Sequence, residues 1–156
     1  MTQQQDLNTV ATVSAPDFWP EALAIIQSAP IGLLATSHGR QPHVRPVVPA
    51  YVGLRAYVLT SSGSPKTHQV EGNELVELLH WTSDFRHLNL SGSAEVTEDT
   101  DEIAEAAPHF PYTVDDFFGP DIRAPAMIKI TIQRVSITTF NDIIADKRPR
   151  IWRASD

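Results

Sequence analysis

Apolar positions along this chain repeat with two different periods. Phe18, Trp19, Ala22, Leu23, Ile25 and Ile26 return every three to four positions, the spacing of one face of an α-helix that runs to Ser28. Ser14-Ala15-Pro16-Asp17 just before them reads as a capped helix start. Residues 1–13 are polar and aperiodic and are expected to form a disordered N-terminal tail, with one domain spanning 14–156. Beyond residue 30 the period falls to two. Ile31-Gly32-Leu33-Leu34-Ala35-Thr36 is a short apolar run, Ser37-His38-Gly39-Arg40 supplies turn chemistry, and 43–51 follows, so two strands in a hairpin are expected. Pro46 and Pro49 have no N–H for a ladder, which puts the second strand at an edge or interrupts it and leaves its backbone groups partly free.

A third strand is expected at 54–60, a helix from Ser64 to a C-terminal cap at Gly72-Asn73, and further strands at 74–81 and 86–96. Leu88, Leu90, Gly92, Ala94 and Val96 alternate as in a half-buried antiparallel strand. Short helices with acidic starts are expected at 99–107 and 113–118, and a long β-rich stretch at 126–140 with Ile128, Ile130 and Ile132 in phase. Six or so antiparallel strands with few short helices describe a mainly β (α+β) chain, folded as a small barrel.

The stretch that joins the third strand to its helix carries the most chemistry. Thr60-Ser61-Ser62-Gly63-Ser64-Pro65-Lys66 is a strand end, a loop of small residues and a helix start, with Ser64 suited to the N-cap and Pro65 to the first helical position. A helix N-terminus already carries about half a positive charge, so a lysine in its first turn is unfavourable unless an anion neutralises both. A phosphate would do so, taking donors from the hydroxyls of Thr60, Ser61, Ser62 and Ser64, the backbone after Gly63 and the Lys66 ammonium. The alternative is an ordinary strand-to-helix turn with a solvated lysine. The loop is not a Walker motif, because Lys66 follows proline where that motif has Gly-Lys-Ser/Thr.

Composition narrows the ligand. The net charge of −7, with three lysines among the 12 basic residues, argues against nucleic-acid or anionic-membrane partners, which want a basic face, and leaves room for a small anion in a local basic pocket. The chain has no cysteine, so disulfides, thiolate catalysis and cysteine-ligated zinc are excluded. Its six histidines form no paired ligand motif, so no metal site is expected. No basic start, apolar leader or membrane-length run is present, and a cytoplasmic location is expected.

Arg45-Pro46-Val47, then Thr60 with Gly63-Ser64-Pro65-Lys66, then His68-Gln69-Val70-Glu71-x-Asn73 and an apolar strand to Trp81 together resemble the pyridoxamine 5′-phosphate oxidase-like flavin-binding split barrels, and most closely their general stress protein subgroup. The likeness spans residues 18–140 and is densest at 31–96. It implies a six-stranded Greek-key split barrel and a homodimer with FMN in the groove between subunits. Carried over position by position, Ser64 and Lys66 would bind the FMN phosphate, and Thr60 and Ser61 would line the ribityl-phosphate path. Arg45 with the Pro46 and Val47 backbone would contact the isoalloxazine edge. His87 falls where the oxidase has a flavin-contacting glutamine, and could donate there or simply fill a polar strand position. Arg150 falls where the oxidase has a flavin-contacting arginine, but in Lys147-Arg148-Pro149-Arg150-Ile151-Trp152 it reads as part of a solvated basic tail.

The sequence also departs from that pattern. Ala50 stands where the oxidase has a basic residue beside the flavin, and Pro65 where it has an arginine, changes that would weaken flavin affinity. Asp146 and Arg148 occupy the places of its vitamin-binding Arg-x-His pair, so activity as the true oxidase is not expected. The resemblance therefore implies an FMN-dependent oxidoreductase of low or unknown substrate specificity, exchanging electrons between a small-molecule donor and acceptor. The alternatives are a flavin-binding general stress or sensor protein without turnover, or the same fold using the deazaflavin F420 or haem.

Overall fold

The computed structural model describes residues 13–155, so the expected tail at 1–13 lies outside the described residues except for Val13, which is exposed. The first helix, α1, is Trp19–Ser28. It starts later than the Ser14-to-Asp17 signal suggests. Phe18 is its N-cap without a side-chain bond, and the Pro16 carbonyl accepts the Trp19 N–H at 2.9 Å to form the preceding turn. Pro20 explains the start: a residue without an N–H is tolerated only in the first helical turn.

The hairpin is present as β1 (Gly32–His38) and β2 (Gln41–Val47), antiparallel in the register Gly32 opposite Val47. The expected strand at 43–51 is two elements. β2 stops at Val47, and after Val48-Pro49 the chain forms β3 (Ala50–Val52), which pairs with β4 (Arg55–Ser61). With α2 (Pro65–Gly72), β5 (Leu75–Trp81), β6 (His87–Thr97) and β7 (Pro125–Thr138), the strands run β2-β1-β5-β6-β7-β4-β3, antiparallel throughout. The edge strands β2 and β3 are thus consecutive in the chain. Val48-Pro49 carries it from one edge of an unclosed sheet to the other, and this is the split of the barrel. The six strands of seven residues or more are the expected six, with β3 and a four-residue β8 (Arg150–Arg153) added.

Alternation along the strands builds the interior. Leu34, Leu78, Leu88 and Leu90 are buried inside with Ala56, Val58, Ile128, Ile130 and Ile132, and α1 inserts Trp19, Ala22 and Ile25. Each buried leucine, isoleucine or valine among them contributes about 1.5–3 kcal/mol by leaving water. Strict alternation would turn β7 inside out after Ile132. A bulge between the Ser91–Arg134 and Gly92–Ile132 pairs inserts Gln133 as an extra residue, so Val135 and Ile137 face inward again. Gly92 sits where a Cβ would come within 2.4 Å of the Thr131 carbonyl oxygen, so only glycine fits that crossing.

A second apolar layer lies outside β4 and β7. Tyr57, Leu59 and Met127 meet Ile103 and Ala106 of α3 (Thr100–Ala106), together with Phe110 and Phe118. Asp99 caps α3 by accepting the Asp101 and Glu102 N–H groups. The helix expected at 113–118 is a single 3₁₀ turn, Val114–Asp116.

The basic C-terminal stretch is not a solvated tail. Thr139 and Asp142 form a capping box that starts α4 (Phe140–Ile144), and β8 then pairs with β7 from Arg134 to Ile137. Arg150 grips Glu21 of α1 with two bonds of 2.7 and 2.6 Å. Charge pairing, unseen in the sequence because the partners are far apart in the chain, returns this segment to the domain. Among the described residues no helix is long and apolar enough to cross a membrane.

Candidate functional site

β4 delivers the chain to a tight turn at 61–64, in which the Ser61 carbonyl accepts the Ser64 N–H at 3.1 Å and Gly63 takes a φ of +70° that other residues adopt only with strain. The Ser62 N–H bonds the Ala124 carbonyl at 2.9 Å, which holds this turn against the segment leading into β7. α2 then begins as expected, with Ser64 at the N-cap in extended geometry, Pro65 first and Lys66 second. The Ser64 hydroxyl is used differently from the expected cap. It makes no bond to the helix backbone and instead accepts the buried Thr60 hydroxyl at 3.1 Å, while the Lys66 ammonium donates to Thr60 Oγ1 at 2.7 Å.

This arrangement is a relay with its donors unspent. A hydroxyl has one proton and an ammonium three. Thr60 spends its proton on Ser64, so the Ser64 proton and two Lys66 protons have no acceptor among the described residues. The same holds for the Gly63 and Lys66 backbone N–H groups. The convergent groups are therefore donors around a place suited to an anion, the chemistry of a phosphate cradle.

Arg45 reaches the site from β2. Its guanidinium donates to Thr36 Oγ1 (2.7 Å), to the Gln69 side-chain oxygen (2.7 Å) and to the Leu34 carbonyl (3.3 Å), and Thr36 in turn donates to Gln69 at 2.6 Å. All these acceptors are neutral, so the arginine is fixed in place while its charge stays uncompensated. Gln69 and Lys66 lie one turn apart on α2, which links the arginine to the lysine through one helix face. Pro46 is exposed on the opposite face of β2, and the Val47 side chain belongs to the core, which leaves their backbone as the part that a ligand could meet.

Burial lowers the Lys66 pKa below the ordinary lysine value, and the charges of Arg45 and Arg123 lower it further. Burial likewise lowers the pKa of Arg45. No carboxylate among the described residues forms an ion pair with Lys66, Arg45 or Arg123. A cavity of about 470 Å³ lies elsewhere, between α3 and the outer face of β4. Its lysine, Lys129, is already held by Glu102 at 2.7 Å and Glu95 at 3.0 Å. Uncompensated charge, rather than volume, marks the candidate site.

His87 is not brought to this cluster. It opens β6 opposite Trp81 and Thr138, whereas Thr60 and Ser61 pair with the far end of β7, at Ala126 and Pro125. It belongs instead to the outward sheet face, where the cross-strand neighbours Leu33, Pro46 and Leu79 lie beside the largely exposed Trp81 and Val44.

Sequence reasoning missed Thr36 and the side-chain role of Gln69, which hold Arg45, and it missed Arg123, whose charge reaches Lys66 from a distant segment. It also passed over His80, a fully buried ring that bonds the Ala29 carbonyl through Nδ1 and the Tyr51 hydroxyl through Nε2, both at 2.6 Å. Burial lowers its pKa, so it is a neutral structural clasp between α1, β3 and β5.

Comparison with known proteins places the fold. Residues 18–139 match the family model of pyridoxamine 5′-phosphate oxidase. The chain belongs to this family. No curated protein sequence matches it at a significant level. Among solved structures it is similar to general stress protein 26 of Bacillus anthracis, at 21% identity and a TM-score of 0.67 over 86% of this chain and 96% of that one. It is also similar to a haem-binding protein of Mycobacterium smegmatis (18%, TM-score 0.69, 90% and 60% of the two chains). A third is an FAD-binding protein of Mesorhizobium loti (19%, TM-score 0.62, 76% and 90%). At these identities the likeness is one of fold. The same fold thus occurs in an FAD-binding protein and in a haem-binding protein.

Proposed function

We propose that this chain binds FMN and acts as a flavin-dependent oxidoreductase of broad specificity, as a homodimer. The observation that carries the reading is the Lys66–Thr60–Ser64 relay, a half-buried ammonium without a carboxylate partner among the described residues, whose spare donors lie at the start of α2. A phosphate monoester fits this donor set in charge and in hydrogen-bonding capacity. FMN carries such a group, and the family includes proteins that hold flavins.

In this reading Lys66 and Ser64 hold the phosphate and Thr60 orients both. Ser61, at the strand end, lines the path away from it. Arg45, held by Thr36 and Gln69, places a fixed positive charge where the ring system's electron-rich edge would lie, favouring the reduced, more negative form. When bound there, a flavin would supply the redox chemistry, hydride and electron transfer between a small-molecule donor and acceptor. A second copy of the chain covering the apolar outward face would bury Leu33, Val44 and Trp81 and bring the partner's face, with its histidine at position 87, toward the groove. The test is an absorption and fluorescence titration of the purified protein with FMN, followed by reduction with NADH or NADPH. Saturable binding with bound flavin reduced faster than free FMN supports the oxidoreductase. Binding without faster turnover leaves a flavin store or sensor, and no binding refutes the reading.

A further inference from the structure

We propose that Arg123 is a third cation of the phosphate site, supplied by the loop before β7 and making the site selective for a phosphorylated ligand. The proposal rests on the anion-site reading above and adds a residue to it. Its placement follows from the backbone: Ala124 accepts the Ser62 N–H at 2.9 Å, and Thr60, on which the Lys66 ammonium sits, is the register partner of Ala126. Arg123 therefore leaves the chain beside the turn at 61–64.

The loop is built to hold that side chain. Gly119 and Arg123 form an isolated bridge in which the Gly119 N–H donates to the Arg123 carbonyl at 3.0 Å. The guanidinium lies over the ring of Phe118, 5.2 Å from its centroid, and its Nε donates to the Phe117 carbonyl at 3.0 Å. These contacts use one of its five N–H groups and pair its charge with no carboxylate among the described residues. The terminal nitrogens, the pair that grips two oxygens of a phosphate at once, have no acceptor among the described residues. Arg150 and Arg86 differ, being spent on Glu21 and Asp84.

The charge of Arg123 is also felt at Lys66, whose pKa it helps to lower. In a ligand-free protein that repulsion is a cost without a return, and a phosphate dianion turns it into attraction. Proline at position 65 brings no charge to the start of α2, so the third cation comes from a segment nearly sixty residues further along.

The experiment compares wild type, Arg123→Gln and Arg123→Lys in titrations with FMN, with riboflavin, which lacks the phosphate, and with inorganic phosphate, read as a shift in melting temperature. In Arg123→Gln, FMN affinity should fall about tenfold, the size of one charge-assisted contact, with riboflavin affinity unchanged. Arg123→Lys should recover part of the loss. Unchanged FMN affinity in Arg123→Gln overturns this proposal and leaves the FMN reading standing, as does a parallel loss for riboflavin, which would mean that Arg123 acts through the fold. If wild type binds phosphate but not FMN, the flavin reading fails, and Arg123 is then judged by phosphate protection alone, its loss in Arg123→Gln supporting the assignment and its retention overturning it. Binding of neither overturns both.

Discussion

Lys66→Met separates a ligand-binding lysine from a structural one, because the two roles predict opposite costs. Methionine keeps the length and the apolar stem while removing the charge. Among the described residues of the ligand-free protein Lys66 makes a single side-chain bond, to Thr60, and its charge is opposed by burial and by Arg45 and Arg123. Thr60 keeps its bond to Ser64 when the ammonium is gone. The unliganded variant should therefore be as stable as wild type within about 0.5 kcal/mol, or slightly more stable. With FMN bound, the variant lacks a charge-assisted bond worth about 1.5–3 kcal/mol net, or about tenfold to a hundredfold in affinity. Full Coulomb attraction at 4 Å and an effective dielectric of 20 would give about 4 kcal/mol, so the lower range already allows for dehydration of the ammonium. The assay pairs fluorescence titration with FMN and riboflavin against urea unfolding of the ligand-free protein. Unchanged FMN affinity would refute the argument. So would a loss of stability with both flavins weakened alike, since Lys66 would then be a prop for Thr60.

Three further substitutions test the scaffold. Tyr51→Phe leaves the buried Nε2 of His80 without its donor and should cost about 1–3 kcal/mol in urea unfolding, whereas wild-type stability would show that the hydroxyl bond is dispensable. His80 has a lowered folded pKa, so its contribution is complete above its unfolded value of about 6.5. It is lost as the pH falls toward the folded value, because the unfolded chain then binds the proton first. His80→Asn should shrink the stability difference between about pH 7 and pH 5, and an unchanged difference would place the acid sensitivity elsewhere. Gly92→Ala pushes a methyl group against the Thr131 carbonyl and should cost about 1–3 kcal/mol or more, unless the bulge at Gln133 relaxes, in which case the unfolding midpoint stays put.

What could be read in the sequence was local. The Ser-Pro start of α2, the glycine in its turn and the alternation of β6 are decided by neighbours in the chain, and all three stand where expected. The strand at 43–51 is at an edge and interrupted, as Pro46 and Pro49 lead one to expect, but the prolines do not say where the chain goes next, and only pairing with β4 turns Ala50–Val52 into a strand at the other edge. The C-terminal segment was misjudged for a related reason. Its basic residues look solvated until Glu21, more than a hundred residues earlier, is seen beside Arg150. The Thr139-x-x-Asp142 capping box could have been found, since both residues are in plain order ahead of an apolar pair.

The same division runs through the site. Thr60, Ser61, Ser64 and Lys66 lie within one seven-residue stretch, and a motif exposes them. Thr36, Gln69 and Arg123 join them only through the hairpin, the helix face and the β7 loop. Those long-range contributors are what make the local motif more than a solvated turn. A lysine at a helix start can always find water, but a half-buried one that feels the charge of two arginines, with no ion-paired acid among the described residues, is a charge that the fold holds against its own electrostatics. In the proposed reading a bound anion neutralises it. Phosphate-free flavin would not do so, which is why the comparison of FMN with riboflavin, more than flavin binding alone, bears on what the cluster is for.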